Sequence, residues 1–250
     1  MPAVTVVQAT DVEPVVNDQT DLVVRPLLGD QTGFDRFALA VLERAPGDSP
    51  AIAVGDVEET LFVLSGHGEL RAGGQSHALE PETAVLLPPG TEFSLHAPGP
   101  DTLTLVAVRI KDPVTTGGGA RDAPAIRRLV DQSTGQATTQ REFRILFDPS
   151  SGLRTATHFV GYIPTARAPD HFHTYDEVIY VLDGVGVMHA GDEEWPLAAG
   201  SSIQLPARTV HCLENTGDAP MRVVAVFRPG GSPAEAYYPD GTPSYQGGNS

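Results

Sequence analysis

The amino-acid sequence predicts an all-β protein with two tandem halves of similar structure. Short apolar runs recur at spacings of about ten residues and are separated by turns rich in Gly, Pro and acidic residues, which is typical of antiparallel sandwiches and barrels. The 26 Gly and 22 Pro among the 250 residues also favour many turns over long helices. An internal repeat indicates that the same fold occurs twice.

The repeat is visible without gaps at one offset of 118 residues. Residues 59–66, with the sequence ETLFVLSG, match residues 177–184, with the sequence EVIYVLDG. At the same offset Gly73 corresponds to Gly191. Agreement at one fixed offset over this length is not expected by chance, so each half is predicted to form one barrel. The clearest predicted strands are residues 60–64, 84–87 and 103–110 in the first half, and 178–182 and 223–227 in the second.

The domain boundaries follow from composition. The sequence TTGGG at residues 115–119 is typical of a flexible linker, and residues 123–131 are compatible with a short helix. The end of the chain is rich in Gly, Pro and Ser, which favours a loosely ordered tail. We therefore expect an N-terminal domain at 1–115, a linker at 116–141, a C-terminal domain at 142–232 and a flexible tail at 233–250.

The charge and the apolar pattern make several partners poor candidates. A formal net charge of −16 repels phosphate backbones and anionic lipid, so neither nucleic acid nor a membrane is expected as a partner. The start of the chain lacks the features of a signal peptide, and no apolar run approaches the ~20 residues of a membrane span. The single cysteine, Cys212, excludes an internal disulfide. These features are those expected of a cytoplasmic protein.

The second half contains a cluster of metal-binding residue types. His171 and His173 are two residues apart, so both face the same side of a strand. Glu177 follows at an even separation, and a second block supplies His211 and Asn215. A lone pair of histidines would more often be a surface feature. Here three imidazoles and one carboxylate can converge inside a barrel, and that ligand set suits divalent Fe, Mn, Ni, Cu or Zn.

These two blocks resemble the paired motifs of the cupin superfamily. The first motif there runs His-x-His, Glu, Gly, and the second runs Gly, Pro-x-Gly, His, Asn. The resemblance covers roughly residues 35–110 and 145–230, and implies two tandem cupin jelly-roll barrels. Arg208 departs from the motif, because it stands where the pattern has the Gly of Pro-x-Gly. The resemblance places one divalent metal, with iron as the first choice, on His171, His173, Glu177 and His211.

The first half lacks most of these ligands. The offset places Ala53, Gly55 and Phe93 at the positions of the three histidines, and only Glu59 remains. One carboxylate cannot hold a transition metal, and Phe93 offers an apolar plug instead. We interpret this half either as a structural barrel or as a dimerising barrel, and in the second case the protein would be a homodimer. The alternative is a barrel with an apolar ligand pocket.

Three further polar residues are candidates for substrate binding. Arg228 ends the last strand and could clamp a substrate carboxylate. Arg208 lies on the turn before His211, near the expected barrel mouth, and Gln204 could face the barrel interior. Each has a plain structural alternative as a solvated strand end, a turn or a packed side chain. Cys212 follows His211 on the same strand and so points away from the site, as a small buried residue rather than a catalytic thiol.

The implied chemistry leaves alternatives open. Three His and one Glu resemble the ligands of quercetinase-like and acireductone-dioxygenase-like cupins, which implies a non-haem dioxygenase acting on a small polar metabolite. The layout, with a metal-free first barrel, is similar to that of (S)-ureidoglycine aminohydrolase, which implies a non-redox hydrolase, lyase or isomerase. That family has Glu, His, His and Gln at the four ligand positions, so the same reaction is not implied. A protein that holds metal or ligand without turnover is the third alternative. We favour the dioxygenase, because the ligand set bears on the metal more directly than the layout does.

Overall fold

A computed structural model describes residues 3–111 and 123–244. Over this part the regular structure is antiparallel β-strand apart from short 3-10 turns, and none of the helical segments has the length and apolar character needed to cross a membrane. The chain divides into an N-terminal unit, Ala9–Asp131 with Ser150–Arg154, and a C-terminal unit, Met1–Gln8, Gln132–Pro149 and Thr155–Ser250. The described helical segments are 3-10 turns of three residues each: Ala9–Asp11, Asp30–Thr32, Leu129–Asp131, Thr138–Gln140 and Pro149–Ser151.

The N-terminal unit is a jelly-roll barrel of two antiparallel sheets. Strand β1 (Thr5–Gln8) belongs to the other unit. The strands here are β2 (Val15–Asn17), β3 (Leu22–Leu28), β4 (Phe37–Arg44), β5 (Gly47–Asp48), β6 (Ile52–Ala53), β7 (Glu58–Ser65), β8 (Gly68–Ala72), β9 (Gln75–Leu79), β10 (Thr83–Leu87), β11 (Glu92–Ala97), β12 (Leu103–Ile110) and β13 (Ala125–Arg128). The larger sheet has the order β13-β10-β7-β12-β4-β3-β2, and the smaller has the order β5-β11-β8-β9, with β6 also paired to β11.

The core of this unit is built from alternate residues of the two sheets. Leu61 and Val63 of β7 and Phe93 and Leu95 of β11 are buried in one apolar cluster. The spacing of two matches the alternation of side chains along a strand. Phe93, which the sequence predicts to plug this barrel, lies in that core with 2% of its surface exposed.

The C-terminal unit is a second jelly-roll barrel. Besides β1 its strands are β14 (Thr134–Gln136), β15 (Glu142–Phe147), β16 (Thr157–Ile163), β17 (Ala166–Arg167), β18 (Asp176–Asp183), β19 (Val185–Ala190), β20 (Glu193–Ala198), β21 (Ser201–Leu205), β22 (His211–Asn215) and β23 (Met221–Arg228). One sheet has the order β1-β21-β18-β23-β16-β15-β14, and the other has the order β17-β22-β19-β20. Their facing residues form the core, with Ile179, Val181 and Leu205 on one side and Met188 and Leu213 on the other.

The strand positions confirm the two-barrel prediction. Strand β7 begins at Glu58 and β18 at Asp176, and β12 begins at Leu103 and β23 at Met221, so both pairs keep the offset of 118 residues. The repeat seen in the sequence is therefore a repeat of whole strands with the same order in each barrel.

The structure differs from the expected linker. Residues 115–119, expected to be flexible, lie outside the described residues. Residues 123–131 do not form the expected helix; they contain β13, which pairs antiparallel with β10, followed by a 3-10 turn. Pairing with a sheet edge decides the conformation here, because it satisfies backbone groups and buries Ala125 and Leu129.

Both ends of the chain also differ from the expected domain limits. Strand β1 adds to β21 of the C-terminal unit, not to the N-terminal barrel. The expected flexible tail contributes packed residues, since Ala234 and Ala236 are buried and Tyr237 pairs with Phe172. Residues 245–250 lie outside the described part of the chain.

Candidate metal centre

Three histidines converge inside the C-terminal barrel. The backbone of His171 pairs with that of His211, with N–H to carbonyl distances of 3.0 and 2.8 Å in the two directions. His173 is two residues further along the same segment and therefore faces the same side. Each histidine offers one ring nitrogen, and these three atoms all lie within 4.8 Å of one another. Among the described residues this is the one cluster of three or more metal-binding side chains.

Backbone carbonyls fix the tautomer of each imidazole. A carbonyl oxygen can only accept a hydrogen bond, so each Nδ1 carries the proton and donates it. Each Nε2 is then left with the lone pair that a metal ion needs, as in known metal sites. The acceptors for His171, His173 and His211 are the carbonyls of Pro169, Glu235 and Thr209, at 2.9, 2.7 and 2.9 Å.

The same imidazoles are held in the neutral state that binds metals. Burial lowers the pKa of His173 to about 3 and that of His211 well below its usual range. Burial also lowers the pKa of His171. A metal ion would therefore displace no proton from these rings at neutral pH. Three neutral, pre-oriented nitrogens fit a divalent transition metal.

Glu177, the fourth expected ligand, lies on β18 and lines the same cavity as the histidines. It is buried, and burial raises the pKa of its carboxyl to about 8, although Arg141 opposes the shift. Its oxygens are not part of the cluster of atoms within 4.8 Å of one another. The structure thus brings Glu177 into the site without placing it in the tight group, and its role as a ligand stays a prediction.

The cavity in front of the histidines has a volume of about 90 Å³ and walls of mixed polar and apolar character. Phe159, Ile179 and Val223 are among the apolar residues that line it. Tyr175 stacks on the ring of His173, with the centroids 4.6 Å apart and the planes at 10°. The buried Tyr175 ring packs against His173 and restricts its orientation.

The chain end forms one side of the cavity. Pro233, Ala234 and Ala236 line it, next to the Glu235 carbonyl that orients His173. Tyr237 exchanges two backbone hydrogen bonds with Phe172, at 2.8 and 3.0 Å, and their rings stack. We refer to residues 233–244 as the C-terminal strap. Sequence reasoning missed this role because the Gly, Pro and Ser content suggested a loose tail.

Arg141 was also missed, because it fell within the expected linker. It directly precedes β15, is partly buried and lines the cavity together with the three histidines. Its Nη2 donates a hydrogen bond to the carbonyl of Leu213 at 2.8 Å. Its positive charge also affects the pKa of Glu177 and of the histidines.

The structure does not bring the three expected substrate-binding residues to the cavity. Gln204 is buried, but its neighbours Ile203 and Leu205 face the core, so its own side chain points the other way and donates to the carbonyl of Ala3 at 3.2 Å. Arg228 follows the core residue Phe227 and lies on the opposite face for the same reason.

Arg208 is exposed on the turn that leads to β22. Its φ of 65° is the left-handed conformation that favours glycine, which agrees with the Gly of the cupin motif at this position. The turn is nonetheless tied to the site, because the Arg208 N–H donates to the carbonyl of His173 at 2.7 Å. Its guanidinium is not among the groups that line the cavity.

The N-terminal barrel has no comparable cluster among its described residues. Glu59, the one ligand type retained there, is buried, and its carboxylate lies 3.7 Å from the guanidinium of Arg109. Burial raises the pKa of Glu59 and Arg109 lowers it, with burial the larger effect. Phe93 fills the position that His211 holds in the other barrel.

Sequence comparison gives a consistent family match. The model of the family described as "Cupin domain" matches residues 40–109 and again residues 158–227. The uncharacterized protein MJ1618 of Methanocaldococcus jannaschii is 32% identical over 57 residues, which is 23% of this chain and 46% of that protein. The chain thus spans about half of this relative's length, and less than two thirds of the other curated relatives that it matches.

Solved structures share the fold over most of the chain. The putative glyoxylate-induced protein from Pseudomonas aeruginosa is similar with a TM-score of 0.78 and 18% identity, over 90% of this chain and 89% of that one. A variant of oxalate decarboxylase from Bacillus subtilis is similar with a TM-score of 0.70 and 15% identity, over 90% of this chain and 77% of that one. At these identities the likeness concerns the fold.

Proposed function

The chain belongs to the cupin family and has two cupin barrels, and on this basis we propose that it is a metal-dependent non-haem dioxygenase with its reaction centre in the C-terminal barrel. The observation that supports the proposal is the convergence of His171, His173 and His211, all neutral and with their ligand atoms within 4.8 Å. The substrate is a small polar metabolite, since the barrel encloses only a small cavity.

A redox-active divalent metal at these three nitrogens, iron in the first place, would supply the activation of dioxygen. The residues of the chain have separate tasks. The carbonyls behind each Nδ1 keep the imidazoles oriented, which preserves the ligand geometry. The apolar residues of the wall, such as Phe159, Ile179 and Val223, exclude water from the reacting groups.

Oxygen consumption tests this proposal directly. Purified protein loaded with Fe(II) is screened with an oxygen electrode against small carboxylates, β-diketones and catechols, and the His211→Ala variant serves as the control. We expect oxygen uptake in step with substrate loss for the wild type and none for the variant. Equal product formation with and without oxygen would contradict a dioxygenase.

A second candidate is a non-redox metal hydrolase, lyase or isomerase of the (S)-ureidoglycine aminohydrolase type. One observation favours it: Glu177 is a buried carboxyl beside the histidine cluster but outside the tight group, where it could donate or accept a proton. This candidate predicts that Zn- or Mn-loaded protein is active without oxygen. Release of ammonia from ureidoglycine under anaerobic conditions would support it against the dioxygenase.

A further inference from the structure

We propose that Arg141 binds a carboxylate group of the substrate, so that this barrel acts on a small carboxylate. The inference rests on the proposed function, because it concerns the same cavity, and it specifies the substrate class. It replaces Arg228 and Arg208 as the anion-binding residue, since neither lines the cavity.

The hydrogen-bonding capacity of Arg141 is mostly unused. A guanidinium has five N–H donors, and the described contacts use one of them, from Nη2 to the carbonyl of Leu213. Within the described residues, no carboxylate oxygen lies within 4.0 Å of this guanidinium. The buried Glu177 of the same cavity interacts with Arg141 electrostatically, from beyond salt-bridge distance. A charged fork that lines a cavity with donors to spare is suited to bidentate binding of a carboxylate.

The position of Arg141 favours an anion at the metal centre. It is the single Arg or Lys among the described residues that line the cavity, which it shares with His171, His173 and His211. The whole chain carries a net charge of −16, so an anionic substrate needs a local positive charge to enter. Arg141 supplies that charge from the chain itself.

The backbone before Arg141 adopts an uncommon conformation. Thr139 has φ 59° and ψ 42°, and Gln140 has φ 59°, so two consecutive residues other than glycine are left-handed. For a β-branched residue this conformation is unfavourable, and such residues are concentrated at functional sites. The turn is closed by a hydrogen bond from the Ala137 N–H to the Arg141 carbonyl at 2.8 Å. The tight turn between β14 and β15 thereby fixes the position of Arg141 just before β15.

The size of the cavity limits the substrate class. A volume of about 90 Å³ is well above the ~10–15 Å³ that one water molecule requires, so the cavity has room for a small molecule. A short keto or hydroxy acid fits this space, with its carboxylate at Arg141 and its other oxygen facing the histidines.

Calorimetric titration of metal-loaded protein with pyruvate tests the proposal, with pyruvamide as the neutral analogue. Arg141→Met removes the charged fork with little change in length, and Arg141→Lys keeps the charge but not the fork. The matched control is Arg36→Met, an exposed arginine of the N-terminal unit whose guanidinium lies 3.8 Å from Asp35. Metal content is measured for every variant.

We expect pyruvate to bind Arg141→Met roughly 10- to 100-fold more weakly than wild type, as for loss of a charge-assisted hydrogen-bond pair. Arg141→Lys should fall between the two, Arg36→Met should equal wild type, and pyruvamide should bind all four weakly. Equal pyruvate affinity for Arg141→Met and wild type, or no pyruvate binding to wild type, would overturn the inference and leave the metal site standing. Wild-type protein that retains no metal would instead refute the proposed function.

Discussion

Replacement of Glu177 by Gln tests whether this carboxyl is the fourth metal ligand. Burial raises the pKa of Glu177 to about 8, so at pH 6 the metal-free protein carries a proton there. A metal ion that binds the carboxylate must displace that proton. For one group with a pKa of about 8, metal affinity then rises by roughly 50-fold between pH 6 and pH 8, which is about 2.3 kcal/mol at 1.36 kcal/mol per pKa unit.

The histidines add little to this dependence, because burial lowers the pKa of each ring and His173 lies at about 3. The assay is calorimetric titration with Mn(II) at pH 6, 7 and 8, in two buffers of different ionisation enthalpy to count released protons. Wild type should release close to one proton per metal at pH 6, and Glu177→Gln should bind more weakly at pH 8 with little pH dependence. Affinity independent of pH in wild type, with an unchanged Glu177→Gln variant, would refute ligation and favour a proton-transfer role.

The remaining predictions concern the strap, the first barrel and the packing. Truncation after Ser232 should weaken metal binding by roughly 10- to 100-fold in calorimetry, because the strap carbonyl that orients His173 is lost. Truncation after residue 244 keeps that carbonyl and is the control; equal metal affinity of the two truncated proteins would contradict a role of the strap. Glu59→Gln should be more stable to urea than wild type at pH 8, and by a larger margin than at pH 5. The raised folded-state pKa of Glu59 gives wild type a stability that is lost as pH rises through that pKa, and Gln does not titrate. A variant less stable than wild type at pH 8 would contradict the sign. Gly186→Ala should destabilise the C-terminal unit by about 2 kcal/mol or more in thermal unfolding, because the added Cβ would lie 2.2 Å from the Glu214 carbonyl oxygen; an unchanged melting temperature would show that the strands separate without cost.

The features predictable from the sequence are those encoded locally. The recurring short apolar runs predict strands, and the repeat at 118 residues predicts that the same barrel occurs twice. The shared direction of His171 and His173 is predictable because side-chain direction along a strand depends only on spacing. His211 required the second motif, and its backbone pairing with His171 shows that the two motifs meet side by side along β22.

The features missed depend on contacts between distant segments. Arg141 and the strap reach the cavity through turns and pairings that no local pattern encodes, such as the pairing of Phe172 with Tyr237. Strand β13 appeared compatible with a helix because its pairing with β10 is not visible in its own residues. Gln204 was expected to face the barrel interior and Arg228 to reach the substrate, but both lie beside core residues and point away from the core. The direction of a single side chain requires knowledge of which neighbour faces the core.

The central claim is that the chain holds one metal ion, in the C-terminal barrel, on His171, His173 and His211. Elemental analysis of protein purified without a histidine tag tests it most directly, with His171→Ala and His211→Ala measured alongside. The account predicts about one divalent transition metal per chain in wild type and little in either variant, with the N-terminal unit still folded. Two tightly bound metals per chain, or full metal content in His211→Ala, would contradict it.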